Sequence, residues 1–186
     1  MLIVRVMGAI KILSEFGVIH IVDERGCSFK STNNIRLYQT VIEIDPRYFP
    51  CCVYGVLLND EAVLVVGGTG GTTGINEQSA FVLNSKLYLA IGDSVVCLNL
   101  GSRALDWVLA VDSSTCFGVY FEPTRRVLIS HGELTVARLD AAGEIIWSSG
   151  GADIFTEGFE LEDEFIKVVD FNNRMYRFSY ETGAAL

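Results

Sequence analysis

The sequence predicts an all-β protein of short strands arranged in a repeat of about forty residues, and three observations lead there. Short apolar runs rich in Val, Ile, Leu, Tyr and Phe recur along the chain, with almost no stretch carrying a helical period. Turn dipeptides separate the runs, at Asn84-Ser85, Gly92-Asp93, Glu122-Pro123, His131-Gly132, Ala142-Gly143 and Asn172-Asn173. Two segments align without gaps: Gly92 on Gly132, Asp93 on Glu133, Val96 on Val136 and Trp107 on Trp147. The frame continues with Val136 on Tyr176 and Gly143 on Gly183. A period near 40 with four strands per unit has the dimensions of a blade in a β-propeller.

Taken in order, residues 2–7 form a first strand with no unit of its own, residues 16–44 a divergent blade, and residues 52–78 a second. That second blade opens as CVYGVLLNDEAVLVVGG, an echo of CFGVYFEPTRRVLISHG, but its expected second hairpin is replaced by GGTGGTTGINEQ. Three regular units follow, the clearest reading CFGVYFE, RRVLISHGE, LTVARLD, AAGEIIW. The tryptophan ending a unit closes the outer strand and packs flat on the next blade. The last unit offers strands near 156–161, 164–169 and 174–179 and lacks that tryptophan. An exposed strand edge invites aggregation, so residues 2–7 are expected to pair with this last blade and close a five-bladed ring. The alternative is a four-bladed ring with the first fifty residues packed outside it.

Composition bounds the function. The chain has 186 residues, 50% of them hydrophobic, and a formal charge of −9 from 23 acidic and 14 basic residues. That is one domain, 1–186, too apolar for a disordered chain. The acidic balance argues against nucleic acid as a partner. No apolar run approaches the roughly 20 residues of a membrane-spanning helix. MLIVRVMGAIK is broken by Arg5 and lacks a small-residue cleavage site, so it reads as a strand and not as a leader peptide. Five cysteines, an odd number without a CxxC pair, read as reduced thiols of a cytoplasmic protein.

The stretch 137–147, ARLDAAGEIIW, resembles the A-x-D-x-x-T-G-K-x-x-W repeat of pyrroloquinoline-quinone-type β-propellers, with the Asp displaced by one position and Ala142 where Thr is usual. Residues 97–107, CLNLGSRALDW, are a weaker copy with Arg103 at the glycine position, and RFSYETG keeps Thr182 and Gly183. The resemblance covers residues 79–186 and implies a fold only, since many such propellers bind no quinone. The segments ISHGE, DIFTEGF and VDFN also resemble an uncharacterised bacterial family to which no activity attaches.

Candidate site residues follow from the blade frame. Equivalent turns of successive blades share one face, which would bring Asp93, His131, Glu133 and Asp170 to one rim. Against this, Asp, Asn and His simply tolerate turn geometry. Cys116 opens an inner strand and could serve as a nucleophile beside a histidine, although small buried side chains are also what a crowded channel needs. Asp153 and Glu157 flank the start of the last inner strand and could face the channel mouth. The glycine run 67–74 lacks the Lys-Ser/Thr of a phosphate loop and reads as a turn, or as a loop covering a ligand. No metal-ligand spacing and no cofactor motif is present. The leading expectation is therefore a non-enzymatic protein-interaction module with a basic partner, a homodimer through residues 1–50 being possible. The competing one is a small-ligand binder or hydrolase-like enzyme with its site at the channel mouth.

Overall fold

The computed structural model describes residues 2–6 and 8–186. Among them there are only strands and turns, so no helix is long and apolar enough to cross a membrane. Four sheets follow one another along the chain.

The first sheet has six strands in the order β1-β2-β3-β5-β6-β4: β1 (Leu2–Val6), β2 (Ala9–Ser14), β3 (Gly17–Asp23), β4 (Thr40–Glu43), β5 (Cys52–Leu58) and β6 (Glu61–Gly68). The second runs β7 (Ala80–Leu83), β8 (Lys86–Ile91), β9 (Ser94–Asn99) and β10 (Ala104–Ala110), and the third β11 (Cys116–Glu122), β12 (Val127–Gly132), β13 (Thr135–Leu139) and β14 (Ile145–Gly150). Both are four-stranded antiparallel meanders. The fourth holds β15 (Gly158–Leu161), β16 (Ile166–Val169) and β17 (Met175–Phe178), with one further bridge from Phe178 to Ala185.

Because successive strand residues point to opposite faces, each middle sheet feeds two cores. In the third sheet Leu128 and Ala137 face the second, whereas Ile129 and Val136 face the fourth. Three clusters result. Ile12, Ile19, Tyr54 and Leu64 meet Leu87, Leu89 and Leu98; Phe81, Tyr88 and Cys97 meet Cys116, Val119 and Leu128; Ile129, Val136 and Trp147 meet Phe155, Ile166 and Phe178. Fully burying one such side chain is worth about 1.5–3 kcal/mol.

The five-bladed, closed ring is corrected on three points. Residues 16–44 and 52–78 do not form separate blades: β3 pairs with β5 (Ile19 opposite Leu58), and β4 returns parallel to β6 (Thr40 opposite Leu64), so both segments enter one sheet. In the four-bladed alternative the number of sheets is four, but the first fifty residues do not pack outside them, since β1–β4 are strands of the first sheet. The first strand pairs with β2, from Leu2 opposite Leu13 to Val6 opposite Ala9, and not with the last sheet. Gly8, at φ 73°, lets the chain reverse locally into that hairpin; Met7, the last residue of the expected strand, lies outside the described residues. The sheets form an open stack and do not close.

Both outer faces of the stack are covered or charged. Over the first sheet, the segments on either side of β4 within 24–51 lie on Val53 and Val65, both buried, and Phe29 and Pro50 close on Gly67, where a Cβ would stand 2.7 and 2.9 Å from them. Glu24 holds this segment together by accepting from Arg36 Nη1 at 2.5 Å and from the Tyr38 hydroxyl at 2.7 Å. On the free face of the fourth sheet Glu160, Lys167 and Arg177 stand in cross-strand register, and Lys167 Nζ donates to Glu160 at 2.7 Å.

Candidate functional site

His131 does not occupy a turn. It lies in β12, opposite Gly118, and the turn after it is made by Glu133 and Leu134. Its ring is buried, stacked on Phe159 at a centroid distance of 4.4 Å and edge-on to Phe117 at 5.3 Å, with Nε2 3.2 Å from the Phe155 carbonyl. Burial pushes its pKa down to about 4, which keeps it neutral. The local sequence explains the misplacement: a polar ring before Gly-Glu reads as a turn, but an imidazole between two phenyl rings is as well placed in a strand.

Of the carboxylates expected on the rim, Asp93 and Glu133 occupy equivalent positions in their sheets and bond the segments that link one sheet to the next, whereas Asp170 is engaged within its own turn. The Asp93 N–H donates to Thr69 O (2.9 Å), and its carbonyl accepts from Val111 N (2.9 Å) and Asp112 N (3.1 Å). One repeat later the Glu133 N–H donates to Thr115 O (2.7 Å), and its carbonyl accepts from Phe155 N (2.6 Å). Their side chains are engaged locally: Ser94 Oγ donates to Asp93 at 2.6 Å, and Ser114 Oγ to Glu133 at 2.5 Å. Asp170 is buried and accepts from Asn172 N, Arg174 N and the Tyr176 hydroxyl at 2.9–3.0 Å. Burial opposes its ionisation, but these donors outweigh it and hold the carboxyl below its usual range.

Two of the predicted residues are brought together. Asn172 bridges them, its backbone donating to Asp170 and its Nδ2 to Asp153 at 2.5 Å. Glu157 is exposed and accepts only from the neighbouring Thr156 hydroxyl at 3.0 Å. Cys116 is fully buried between the second and third sheets, its thiol donating weakly to Gly118 O at 3.5 Å, and burial raises its pKa to about 12. Since Phe117 beside it turns its ring toward His131, Cys116 and His131 face opposite sides of the third sheet and share no hydrogen bond. They do not form a nucleophile-base pair.

Residues that the repeat frame could not reveal are more conspicuous. Within 24–51, Ile35 is 98% exposed, Leu37 72% and Phe49 101%, with Val41 and Tyr48 also on the surface. A cleft of about 440 Å³ there is lined by Arg25, Lys30, Arg47, Phe29, Tyr48 and Phe49, among others, and a smaller hollow carrying Leu37 and Val41 shares Cys27 and Phe29 with it. The two hollows therefore adjoin. Within 24–51 Glu24, Glu43 and Asp45 stand against Arg25, Lys30, Arg36 and Arg47, so this segment carries one net positive charge and the chain's acidity lies elsewhere. In the sequence its bulky apolar residues are scattered among polar ones, without repeat frame.

No protein-family profile matches the chain, and no curated protein matches it significantly. Among solved structures it is similar to BamB from Moraxella catarrhalis, with a TM-score of 0.52, 11% identity and coverage of 99% of this chain and 61% of that one. It is also similar to the computationally designed Ika8 protein, at a TM-score of 0.51 and 12% identity over 73% of this chain and 44% of that one. The WD40 β-propeller domain of Doa1 aligns at 0.49 and 14% identity, over 69% and 44% of the two chains. The chain thus spans about six-tenths of BamB and under half of the other two. At these identities the likeness concerns the fold, which is propeller-like.

Proposed function

We propose that the protein is a non-enzymatic interaction module that docks a protein partner on the surface formed by residues 24–51. One observation carries this: Ile35 and Phe49 stand almost fully exposed, and Leu37 largely so, within one segment that lacks the acidity of the rest of the chain. Solvent-exposed apolar side chains clustered in this way mark contact surfaces. The occupation of the rim carboxylates and of His131 in internal bonds and ring stacking supports the same reading. A partner with an apolar centre and basic surroundings fits, because its rim would meet the acidic remainder of the chain. The five free cysteines support placing it in a reducing compartment such as the cytoplasm.

The test is site-specific photocrosslinking of the full chain in its native cell, with the reactive group at position 49 and, as control, at position 167 on the charged face of the fourth sheet. A discrete protein adduct is expected from position 49 alone, and it should vanish in the Ile35→Asp/Leu37→Asp variant. Equal adducts from both positions, or none from position 49, would overturn the proposal.

A further inference from the structure

Cys51 and Cys52 are neighbours in sequence, and their sulfurs are 3.6 Å apart in hydrogen-bond contact. Vicinal cysteines ordinarily point to opposite sides of a strand. Here Cys51 precedes β5, and its thiol is turned into the glycine run that follows β6. Its Sγ donates to the carbonyls of Gly68 (3.3 Å) and Gly71 (3.2 Å), while the Thr72 hydroxyl donates to its own carbonyl at 3.2 Å. The run is pinned from outside by the Gly71 N–H donating to Ser114 O at 2.7 Å. Cys52 opens β5 and is buried, whereas Cys51, held against the glycine run, opens on a cleft of about 430 Å³ lined also by Tyr48, Phe49, Thr69, Gly70 and Asp93.

The geometry points to a dithiol site for a trivalent organoarsenical, with Cys51 and Cys52 as its two sulfur ligands and the cleft holding the organic substituent. With bonds to sulfur of about 2.3 Å, a sulfur separation of 3.6 Å corresponds to an angle of about 100° at the bridging atom. That angle suits a pyramidal or tetrahedral centre; a linear two-coordinate ion would need its sulfurs about 4.6 Å apart. A tetrahedral zinc ion takes four ligands, and among the described residues no group of three or more His, Cys, Asp or Glu side chains is placed to hold a metal. Trivalent arsenic needs three substituents and brings one with it.

The chemistry of this class balances with two cysteines alone. An organoarsine oxide reacts with two thiols to form two arsenic–sulfur bonds. The two S–H bonds and the arsenic–oxygen bond break, the protons leave with that oxygen as water, and arsenic stays trivalent. This inference is independent of the docking surface proposed above.

The probe is phenylarsine oxide added to the reduced full chain, read by native mass spectrometry in excess glutathione. One phenylarsine unit per chain, bound with loss of one water, is expected; it should resist glutathione and be removed by 2,3-dimercaptopropanol. Cys51→Ser keeps a donor for the Gly68 and Gly71 carbonyls and is expected to lose the adduct by at least a hundredfold in apparent affinity, while Cys27→Ser retains it. Cys52→Ala provides the second arm, with circular dichroism confirming the fold of each variant. Absence of the wild-type adduct, its persistence in Cys51→Ser, or its loss in Cys27→Ser overturns the assignment.

Discussion

The indole of Trp107, on the outer strand of the second sheet, lies against Gly143 in the third, where a Cβ would stand 2.6 Å from the ring. Its Nε1 donates to the Ala141 carbonyl at 3.2 Å. Forty residues on, Trp147 repeats the arrangement on Gly183, with Nε1 donating to Tyr180 O at 3.0 Å. Each repeat is fastened to the next by one aromatic ring on one glycine. Both glycines have positive φ, 87° and 70°, so a side chain there meets backbone strain as well as the ring. Gly183→Ala is expected to lose about 2–3 kcal/mol of unfolding free energy, measured by urea denaturation. A loss under about 0.5 kcal/mol would show that the contact does not couple the sheets.

The buried imidazole of His131 makes stability depend on pH in a stated direction. Its folded pKa, about 4, lies below the unfolded value of 6.5. As pH falls through 6.5 the unfolded chain takes up a proton that the folded chain refuses, so stability declines until about pH 4 and is then flat. Between pH 7 and pH 5 this amounts to about 2 kcal/mol. His131→Phe retains the stacking on Phe159 and should flatten that part of the profile; an unchanged slope would assign it to another group.

Asp112 holds the turn that leads into β13, its Oδ2 accepting from Leu134 N, Thr135 N and the Thr135 hydroxyl at 2.8–3.0 Å. Asp112→Ala leaves these donors to find water in a half-buried turn. A destabilisation of about 2 kcal/mol is expected, with loss of amide protection at residues 134 and 135 by hydrogen exchange. Unaltered protection there would mean that the turn holds its shape without the carboxylate.

Thiol accessibility should divide the cysteines. Cys27 and Cys51 are half-buried, while Cys52, Cys97 and Cys116 are buried. Burial raises the last two to about 11 and about 12 respectively. Iodoacetamide mapping of the native chain should therefore modify Cys27 and Cys51 and reach Cys97 and Cys116 only in denaturant. Rapid modification of folded Cys116 would contradict its burial and reopen a nucleophilic role.

Substituting Ile35, Leu37 or Phe49 by Ser should shift the unfolding free energy by no more than about 0.5 kcal/mol, since these side chains touch mostly water. A large loss would show that they pack in the folded chain.

The regular half of the chain was legible because both members of each contact recur at one spacing. Trp107 with Gly143 and Trp147 with Gly183 stand out as a repeat in the amino-acid order alone, and Asn84-Ser85 announces its hairpin because both residues adopt left-handed backbone (φ 50° and 64°). The first half was not. Its sheet depends on β3 finding β5 across residues 24–51, a stretch without period that is held by remote partners such as Glu24 with Arg36 and Tyr38. His131 escaped for a similar reason, since its stacking partner Phe159 comes from the next sheet. The rim carboxylates were found at equivalent positions, but pattern alone could not tell that Asn172 and Tyr176 already occupy Asp170. The Cys51-Cys52 dipeptide was in plain view, yet the proximity of its sulfurs depends on how the glycine run folds back.

The three apolar clusters each join one sheet to the next, and among the described residues no further cluster joins the fourth sheet to the first. A closed ring would share any local damage around its circumference; a row coupled only between adjacent members passes it along a line. Opening can then begin at an end without breaching the middle, and the three-stranded terminal sheet, backed by a single cluster, is the cheapest place to begin. Slow amide exchange should accordingly concentrate in β8, β9, β12 and β13 and fade toward β17, so that the molecule reads in its own dynamics as a gradient and not as one cooperative block.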